Sequence, residues 1–293
     1  MYRRSPKGKL HSRSKRWVDM TVCIAAIYKE TQFDNSTSDR IVLAADWQLT
    51  DTNTNRASDV AMKLHRLNSV AIALGSGDMA VFHTIASRVK TRLQGSLDTL
   101  PVETIADTYV IVENEYQQEY IRRNQHRPNV QSPHSIPNLP DVIIAGFNGE
   151  EARILRIGAP ERETDPAYPV EDFTQRGWVI IGEGEELAEQ EFLAHLSVPY
   201  FGKSRTLLQC YLAKKRAEGI ASVGKRTTLY LFTPPFACQV VHIDTEFQKV
   251  WDRLTKKELE WKQRSYDKAE SIVAKAEEAG TLISKIEIND EQT

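Results

Sequence analysis

Thr21-Val22-Cys23-Ile24-Ala25-Ala26-Ile27-Tyr28 is a continuous, largely apolar run that opens on a threonine directly after Met20. A run of this length, with several β-branched residues, predicts a buried β-strand. A second apolar run, residues 40–46, ends at Asp46, and we expect it to pair with the first. The polar segment between them, Lys29 to Asp39, holds turn-forming residues and predicts a loop.

Strands and helices alternate along the rest of the chain. Apolar residues at three- and four-residue steps predict helices over Met79–Leu93, Val102–Arg123, Glu185–Leu196 and Ser204–Glu218. Strands are expected at Val70–Leu74, Val142–Phe147, Ala152–Ile157, Gly177–Ile181, Thr227–Phe232 and Gln239–Ile243, with irregular stretches at Asn124–Pro140 and Ala159–Arg176. This order predicts an α+β fold, a four-layer αββα sandwich in which two sheets pack face to face between helix layers.

Composition and cysteine spacing narrow the class of protein. With 41% hydrophobic and 27% charged residues, the chain is typical of soluble globular proteins, and no apolar run approaches the roughly 18 residues that span a bilayer. Cys23, Cys210 and Cys238 are too widely spaced for a disulfide framework or a zinc site, and the histidines show no metal-ligand spacing. We therefore expect a cytoplasmic protein with no membrane segment, metal or cofactor.

The two ends of the chain differ in character from its centre. Residues 1–20 contain seven Lys or Arg side chains and a single acidic residue, Asp19. They contain no apolar stretch of the kind found in secretory signals, so we interpret them as a basic tail, a propeptide or an over-called start. The remainder is acidic, since the whole chain has a net charge of −2, and we expect no nucleic-acid partner. Residues 21–245 are expected to form the main domain. Residues 246–293 predict a helical extension whose apolar stripe either docks or binds a partner (Phe247, Val250, Trp251 and Leu254).

The start of the first strand suggests a nucleophile. A threonine hydroxyl reacts poorly unless a base lies beside it, and a free α-amino group on the same residue, with a pKa of about 8, is such a base. Downstream of Thr21, Lys63 follows Asp46 by 17 positions, and Gly75 follows Lys63 by 12. Gly75 belongs to Leu74-Gly75-Ser76-Gly77-Asp78, in which Asp78 has the chemistry of a helix start.

In this order, the segments resemble the proteasome β-subunit superfamily, and most closely its bacterial branch, which includes the ATP-dependent HslV protease and the Anbu proteins. The resemblance covers residues 21–243. Each motif alone is weak evidence for the family, whereas the ordered set is specific to it. The matching segments are Thr21 at a strand start, Leu43-Ala44-Ala45-Asp46, Lys63-x-x-Arg66-Leu67, Gly75-Ser76-Gly77, Ile144-Ala145-Gly146-Phe147 and Ile180-Ile181-Gly182-x-Gly184.

The resemblance implies an N-terminal nucleophile (Ntn) hydrolase and a role for each matching residue. Thr21 would be the nucleophile, with its own amine passing the proton. The positive charge of Lys63 would favour deprotonation of the hydroxyl and keep the neighbouring amine neutral. Asp46 would hold Lys63 by a charge-assisted hydrogen bond. The Gly75 N–H would face the developing oxyanion, where a side chain would obstruct the approach.

Several positions depart from the family pattern or leave alternatives open. Glu183 stands where the family usually carries a serine that orders the nucleophile's amine, so it either replaces that serine or disrupts the site. In the family an aspartate and a serine usually complete the surroundings of the nucleophile. The aspartate position falls on Glu218 or Gly219 here, and the serine position falls on Ser222. Cys23 would be the nucleophile only if cleavage fell after Val22.

A free Thr21 amine requires processing, because residues 1–20 precede Thr21 in the chain. Either translation begins at Met20 and methionine aminopeptidase removes that residue, or residues 1–20 are a propeptide that Thr21 itself cleaves. We favour the first route, since Met20 directly precedes Thr21.

The predicted function is hydrolysis of peptide or other amide bonds through an acyl-enzyme. The resemblance further implies a ring-shaped homo-oligomer and an ATP-dependent unfoldase as a possible partner. Two alternatives stay open: a non-catalytic scaffold subunit of the same fold, and an amidohydrolase that acts on a small metabolite.

Overall fold

The structure is a computed structural model that describes residues 22–31, 36–46, 49–51, 56–58, 63–94, 100–124, 139–158, 170–194, 202–220, 223–225, 227–234, 237–241 and scattered positions between 249 and 271. By its internal contacts the chain divides into two units, Met1–His242 and Ile243–Thr293. Two residues predicted to belong to the site, Thr21 and Ser222, lie outside the described residues.

The described part of the first unit contains twelve strands and four helices. The strands are β1 (Val22–Thr31), β2 (Thr37–Asp46), β3 (Leu49–Asp51), β4 (Arg56–Ser58), β5 (Leu64–Arg66), β6 (Ala71–Ser76), β7 (Asp141–Asn148), β8 (Glu151–Ile157), β9 (Val170–Asp172), β10 (Trp178–Gly182), β11 (Thr227–Thr233) and β12 (Ala237–Val241). The helices are α1 (Met79–Leu93), α2 (Val102–Asn124), α3 (Glu185–Leu193) and α4 (Lys203–Ala217).

Ten of these strands form two antiparallel five-stranded sheets. The first sheet has the order β10-β1-β2-β11-β12, and the second has the order β5-β6-β7-β8-β9. The short strands β3 and β4 form a separate pair. The predicted combination of two sheets with two pairs of helices is therefore confirmed.

Alternation along the strands separates two apolar clusters. One cluster contains side chains from both sheets, including Cys23 and Ala25 of β1 together with Ile72 and Leu74 of β6. A second cluster joins the opposite face of β6 to buried side chains of α1 and α2, such as Phe82 and Tyr109. Helix α4 packs against β1, β2 and β11, and α3 packs against α4 and β10. Because β-strand side chains alternate in direction, neighbouring residues of β6 can serve both clusters.

Local signals account for the sharp boundaries of several elements. Asp78 caps α1, since its Oδ1 accepts from the N–H groups of Ala80 (3.0 Å) and Val81 (3.1 Å). This confirms Asp78 as a helix-start residue. The β7–β8 hairpin turns through Gly149, whose φ of 65° is the left-handed conformation that glycine adopts without strain.

The predicted loop between the first two strands is too long. β1 extends to Thr31 and β2 begins at Thr37, because the pairing continues past the apolar residues, with Lys29 opposite Asp39. The predicted irregular stretch Ala159–Arg176 contains the short strand β9, whose three residues are partly or fully exposed and give little apolar signal. Helix α3 ends at Leu193, three residues earlier than predicted.

In the second unit, every described residue between 249 and 271 is helical. Of the residues in its predicted apolar stripe, Val250 is described and partly buried, whereas Phe247, Trp251 and Leu254 lie outside the described residues. No helix among the described residues is both long and apolar enough to cross a membrane.

Candidate active site

Asp46 and Lys63 form a buried ion pair. Asp46 is the last residue of β2, Lys63 directly precedes β5, and the Lys63 Nζ donates to Asp46 Oδ1. Both side chains are fully buried, with 0% exposure. The pair thus joins the ends of strands from the two different sheets. Since an unpaired buried charge is strongly destabilising, each of these residues depends on the other.

The second oxygen of Asp46 is also engaged. Its Oδ2 accepts a hydrogen bond from the Gly224 N–H at 2.8 Å. The carboxylate is therefore held at both oxygens, by an ammonium group on one side and by a backbone amide on the other. Such a carboxylate has one fixed orientation, which in turn fixes the ammonium group that it binds.

This pair lies at the end of the first sheet where β1 begins. Val22, the first residue of β1, pairs with Gly182, and Cys23 pairs with Ala45, the residue before Asp46. The start of β1 and the end of β2 are thus neighbours in antiparallel strands. Thr21 lies outside the described residues, but it is covalently bonded to Val22.

Gly75 of β6 lies beside the start of β1, because its carbonyl accepts from the Cys23 Sγ at 3.4 Å. Its N–H donates to the Lys63 carbonyl at 3.0 Å. A Cβ added at Gly75 would lie only 2.4–2.8 Å from three atoms of the Phe82 ring. Packing against Phe82 is thus a reason for glycine that the sequence did not indicate. The oxyanion role stays a prediction. It requires the Gly75 N–H either to donate to the oxyanion and the Lys63 carbonyl at once, or to break its hydrogen bond to that carbonyl.

Glu183 lies in the turn between β10 and α3 and is exposed. The next residue, Gly184, is tightly enclosed: a Cβ there would lie 2.6 Å from the Ala217 Cβ and 3.3 Å from the Val22 Cβ. The turn that carries Glu183 therefore packs against the beginning of β1. Whether Glu183 orders an amine at residue 21 stays a prediction.

Glu218, the residue that caps the C-terminus of α4, belongs to a network that the sequence analysis missed. Its carboxylate accepts from the Nζ of Lys214 at 2.7 Å and of Lys215 at 3.0 Å. Lys214 has 0% side-chain exposure, and its Nζ also donates to the Gly224 carbonyl. The signal available in the sequence was a lysine four residues after Cys210 and three before Ala217, on a helix face that is otherwise apolar.

Arg156 of β8 is a second buried charge that the sequence analysis missed. Its guanidinium donates to both oxygens of Glu185, at 2.7 and 3.0 Å, and lies 3.8 Å from Asp141. Such a bidentate pair ties the start of α3 to the second sheet. Within the part of the chain that the structure describes, no group of three or more His, Cys, Asp or Glu residues could hold a metal ion.

Comparisons with known proteins identify the fold. No protein-family profile matches the chain, and no curated protein matches it in sequence. Among solved structures 576 chains match. One is an Anbu (Gly-1) mutant from Hyphomicrobium sp. strain MC1, with a TM-score of 0.59 and 17% sequence identity, over 83% of this chain and 96% of that chain. The predicted resemblance is thus confirmed at the level of the fold.

Proposed function

We propose that this chain is an N-terminal threonine hydrolase that cleaves amide bonds, with Thr21 as its nucleophile. The observation that carries the proposal is the buried Asp46–Lys63 pair at the sheet end where β1 begins. A buried ion pair contributes little to stability compared with apolar residues of similar size, so its presence calls for another reason. A fixed ammonium group beside a nucleophile is such a reason.

In the proposed reaction the Thr21 hydroxyl oxygen attacks the substrate carbonyl while its proton passes to the free α-amino group of the same residue. The amine then protonates the leaving nitrogen as the C–N bond breaks, which leaves an ester on Thr21. A water molecule attacks this ester while the amine takes its proton. The amine then returns a proton to the Thr21 oxygen as the ester C–O bond breaks and the acid product leaves.

Lys63 would supply a fixed positive charge next to the reacting hydroxyl, and Asp46 would keep that charge in place. In a buried site such a charge acts through a low effective dielectric, so it favours the alkoxide more strongly than it would in water. The two hydrogen bonds to the Asp46 carboxylate support this role, because an ammonium group can stabilise a transition state only from a fixed position.

The remaining roles are proposed for residues around this pair. Gly75 would donate its N–H to the oxyanion, and Glu183 would bind the Thr21 amine in place of a serine. Glu218 and Ser222 would complete the surroundings at the end of α4. The tight packing of Gly184 against Val22 supports a position of this turn close to the nucleophile.

For the whole protein we propose a four-layer αββα sandwich, supported by the cluster between the sheets and the helices packed on each of them. From the similarity to Anbu we further propose that the chain assembles into a ring-shaped homo-oligomer and acts on peptides. We also propose an unfoldase partner and a cytoplasmic location. We also propose residues 21–245 as the hydrolase domain and residues 246–293 as a helical extension.

A non-catalytic scaffold subunit is the second candidate, and two observations favour it. The Gly75 N–H is already bonded to the Lys63 carbonyl, and Glu183 stands where a serine is expected. A scaffold, however, would have no need for a buried lysine beside the start of β1.

A panel of fluorogenic peptides and small amides would separate these functions. We expect turnover in the processed wild-type protein, and a loss of about three orders of magnitude in Thr21→Ala, the effect of removing a covalent nucleophile. Lys63→Met should lose at least about a hundredfold, whereas Lys90→Met, which removes an exposed lysine of α1, should behave as wild type. Turnover that is equal in all four proteins would come from a contaminant, and no turnover at all would favour the scaffold.

A further inference from the structure

The second buried lysine, Lys214, has no part in the reaction proposed above. It lies on α4, its side chain has 0% exposure, and burial lowers its pKa although Glu218 and Asp46 oppose that effect. Fully buried lysines are rare in proteins and are kept only where their ammonium group is bonded. Lys214 meets this condition through Glu218 and the Gly224 carbonyl.

Gly224 connects Lys214 to the candidate site. Its carbonyl accepts from the Lys214 Nζ, and its N–H donates to Asp46 Oδ2 at 2.8 Å. Both backbone groups of this one residue are therefore held, one by the helix and the other by the carboxylate. The resulting series of contacts runs from Glu218 through Lys214, Gly224 and Asp46 to Lys63.

The same region encloses the start of β1. Gly184 lies so close to Ala217 of α4, to Val223 and to Val22 that a Cβ at position 184 would be within 3.3 Å of each of them. Gly224 itself contacts α4 through Lys214 and the end of β2 through Asp46. A shift of Gly224 would move the amide that orients Asp46.

The charges along this series also balance. Two carboxylates, Asp46 and Glu218, alternate with two ammonium groups, Lys63 and Lys214, and the three innermost side chains have 0% exposure. Lys215 adds a further ammonium group to Glu218, but its side chain is 14% exposed. Removing Lys214 alone would leave the buried Gly224 carbonyl without its ammonium donor, and Glu218 without one of its two ammonium partners.

From this geometry we infer that Lys214 is a positioning residue: by holding Gly224 it fixes the orientation of Asp46 and, through Asp46, the ammonium group of Lys63. Its consequence for catalysis rests on the proposed function, whereas its effect on Gly224 does not. The chain offers a matched control in Lys215, the neighbouring lysine, which binds the same Glu218 carboxylate through its other oxygen.

The first arm of the test measures backbone amide hydrogen exchange at Gly224 in the full chain, as wild type, Lys214→Met and Lys215→Met. We expect the Gly224 amide to exchange about tenfold faster in Lys214→Met, because its hydrogen bond to Asp46 loses support, and to change less than about twofold in Lys215→Met. Amides of β7 serve as an internal reference for global stability. If Lys214→Met does not fold, Lys214→Gln is measured instead; because it keeps a donor for the Gly224 carbonyl, we expect an increase in exchange smaller than about tenfold but larger than that in Lys215→Met.

The second arm measures kcat and KM. The concentration of active sites is taken from the burst of acyl-enzyme, so that misfolded protein does not lower the measured kcat. We expect a loss of about tenfold in kcat for Lys214→Met with KM within about twofold, and no change for Lys215→Met. An unchanged Gly224 exchange rate in the Lys214 variant would overturn the inference. Faster exchange with no Thr21-dependent turnover in wild type would support the inference and refute the proposed function.

Discussion

Two regions of the molecule use the same ion-pair chemistry in opposite surroundings. On the outer faces of α1 and α2, Arg92 pairs with Glu115 at 2.9 Å, and the two side chains are 45% and 48% exposed. At the start of β1, Lys63 pairs with Asp46, and both side chains are fully buried. The surface pair is about half exposed to solvent, whereas the carboxylate of the buried pair also accepts a hydrogen bond from the Gly224 N–H.

The difference shows which charges the fold depends on. An exposed pair contributes about 0–1 kcal/mol, because water and salt screen it and its long side chains lose conformational entropy. Removing one partner of a buried pair costs about 3–5 kcal/mol, although the pair itself contributes little relative to apolar residues. A buried pair therefore indicates function better than it indicates stability.

The largest expected effect comes from breaking the buried pair on one side only. Asp46→Ala should lower the free energy of unfolding by about 3–5 kcal/mol, since it leaves Lys63 buried without its carboxylate. The double variant Asp46→Leu with Lys63→Met should recover most of that loss but none of the hydrolysis. Urea unfolding of both variants checks this. An Asp46→Ala protein as stable as wild type would show that the pair is not buried.

A buried carboxylate of a different kind gives the next largest effect. Burial, assisted by the charge of Asp141, raises the pKa of Glu113 on α2 from 4.5 to about 7. The folded chain therefore keeps a proton that the unfolded chain loses, so stability should fall as pH rises from about 4.5 to about 7, by roughly 3 kcal/mol in all.

The matched variants Glu113→Gln and Glu115→Gln isolate this effect. Unfolding followed between pH 4.5 and 8 should show the decrease in wild type and in Glu115→Gln, which alters an exposed residue of the same helix, but not in Glu113→Gln. Parallel pH profiles for all three proteins would refute the raised pKa.

A smaller effect separates packing from catalysis at Gly75. Gly75→Ala should destabilise the fold by about 1–3 kcal/mol, because its methyl group would overlap the Phe82 ring. Adding Phe82→Leu should restore part of the stability. Gly158→Ala is the control, since a Cβ there has no neighbour within 4 Å. If the Gly75 variant is stable but inactive, the oxyanion role gains support; if it is stable and active, glycine is not required at this position.

The smallest effect is expected at the surface pair. Arg92→Met should change the free energy of unfolding by less than about 0.5 kcal/mol, and the change should vanish in high salt. Thermal unfolding at low and high ionic strength measures this. A loss as large as that of Asp46→Ala would remove the distinction between the two regions.

The sequence predicted the elements with strong periodicity. Helix α1 has the predicted bounds, Met79–Leu93, because its apolar residues repeat regularly and Asp78 caps it. The strand β9 and the pair β3–β4 were missed, since strands of three residues carry too few positions to show alternation. The first loop was overestimated because pairing between β1 and β2 stabilises polar positions that have no apolar signal of their own.

One contact of the candidate site was implied by the family resemblance. The resemblance has Asp46 hold Lys63 by a hydrogen bond, and that hydrogen bond is present in the structure. The bond from Lys214 to Gly224 could not be found in this way, since it depends on how the end of α4 faces the segment before β11. The reason for glycine at position 75 likewise depends on tertiary packing, since Phe82 of α1 lies against Gly75 of β6.

The most direct test of the central claim is mass spectrometry of the protein from its native source, before and after incubation with an activated amide substrate. We expect a chain that begins at Thr21 and carries an acyl group on that residue, in wild type but not in Lys63→Met. A chain in which Thr21 remains inside a peptide bond, or an acyl group at any other residue, would contradict the account.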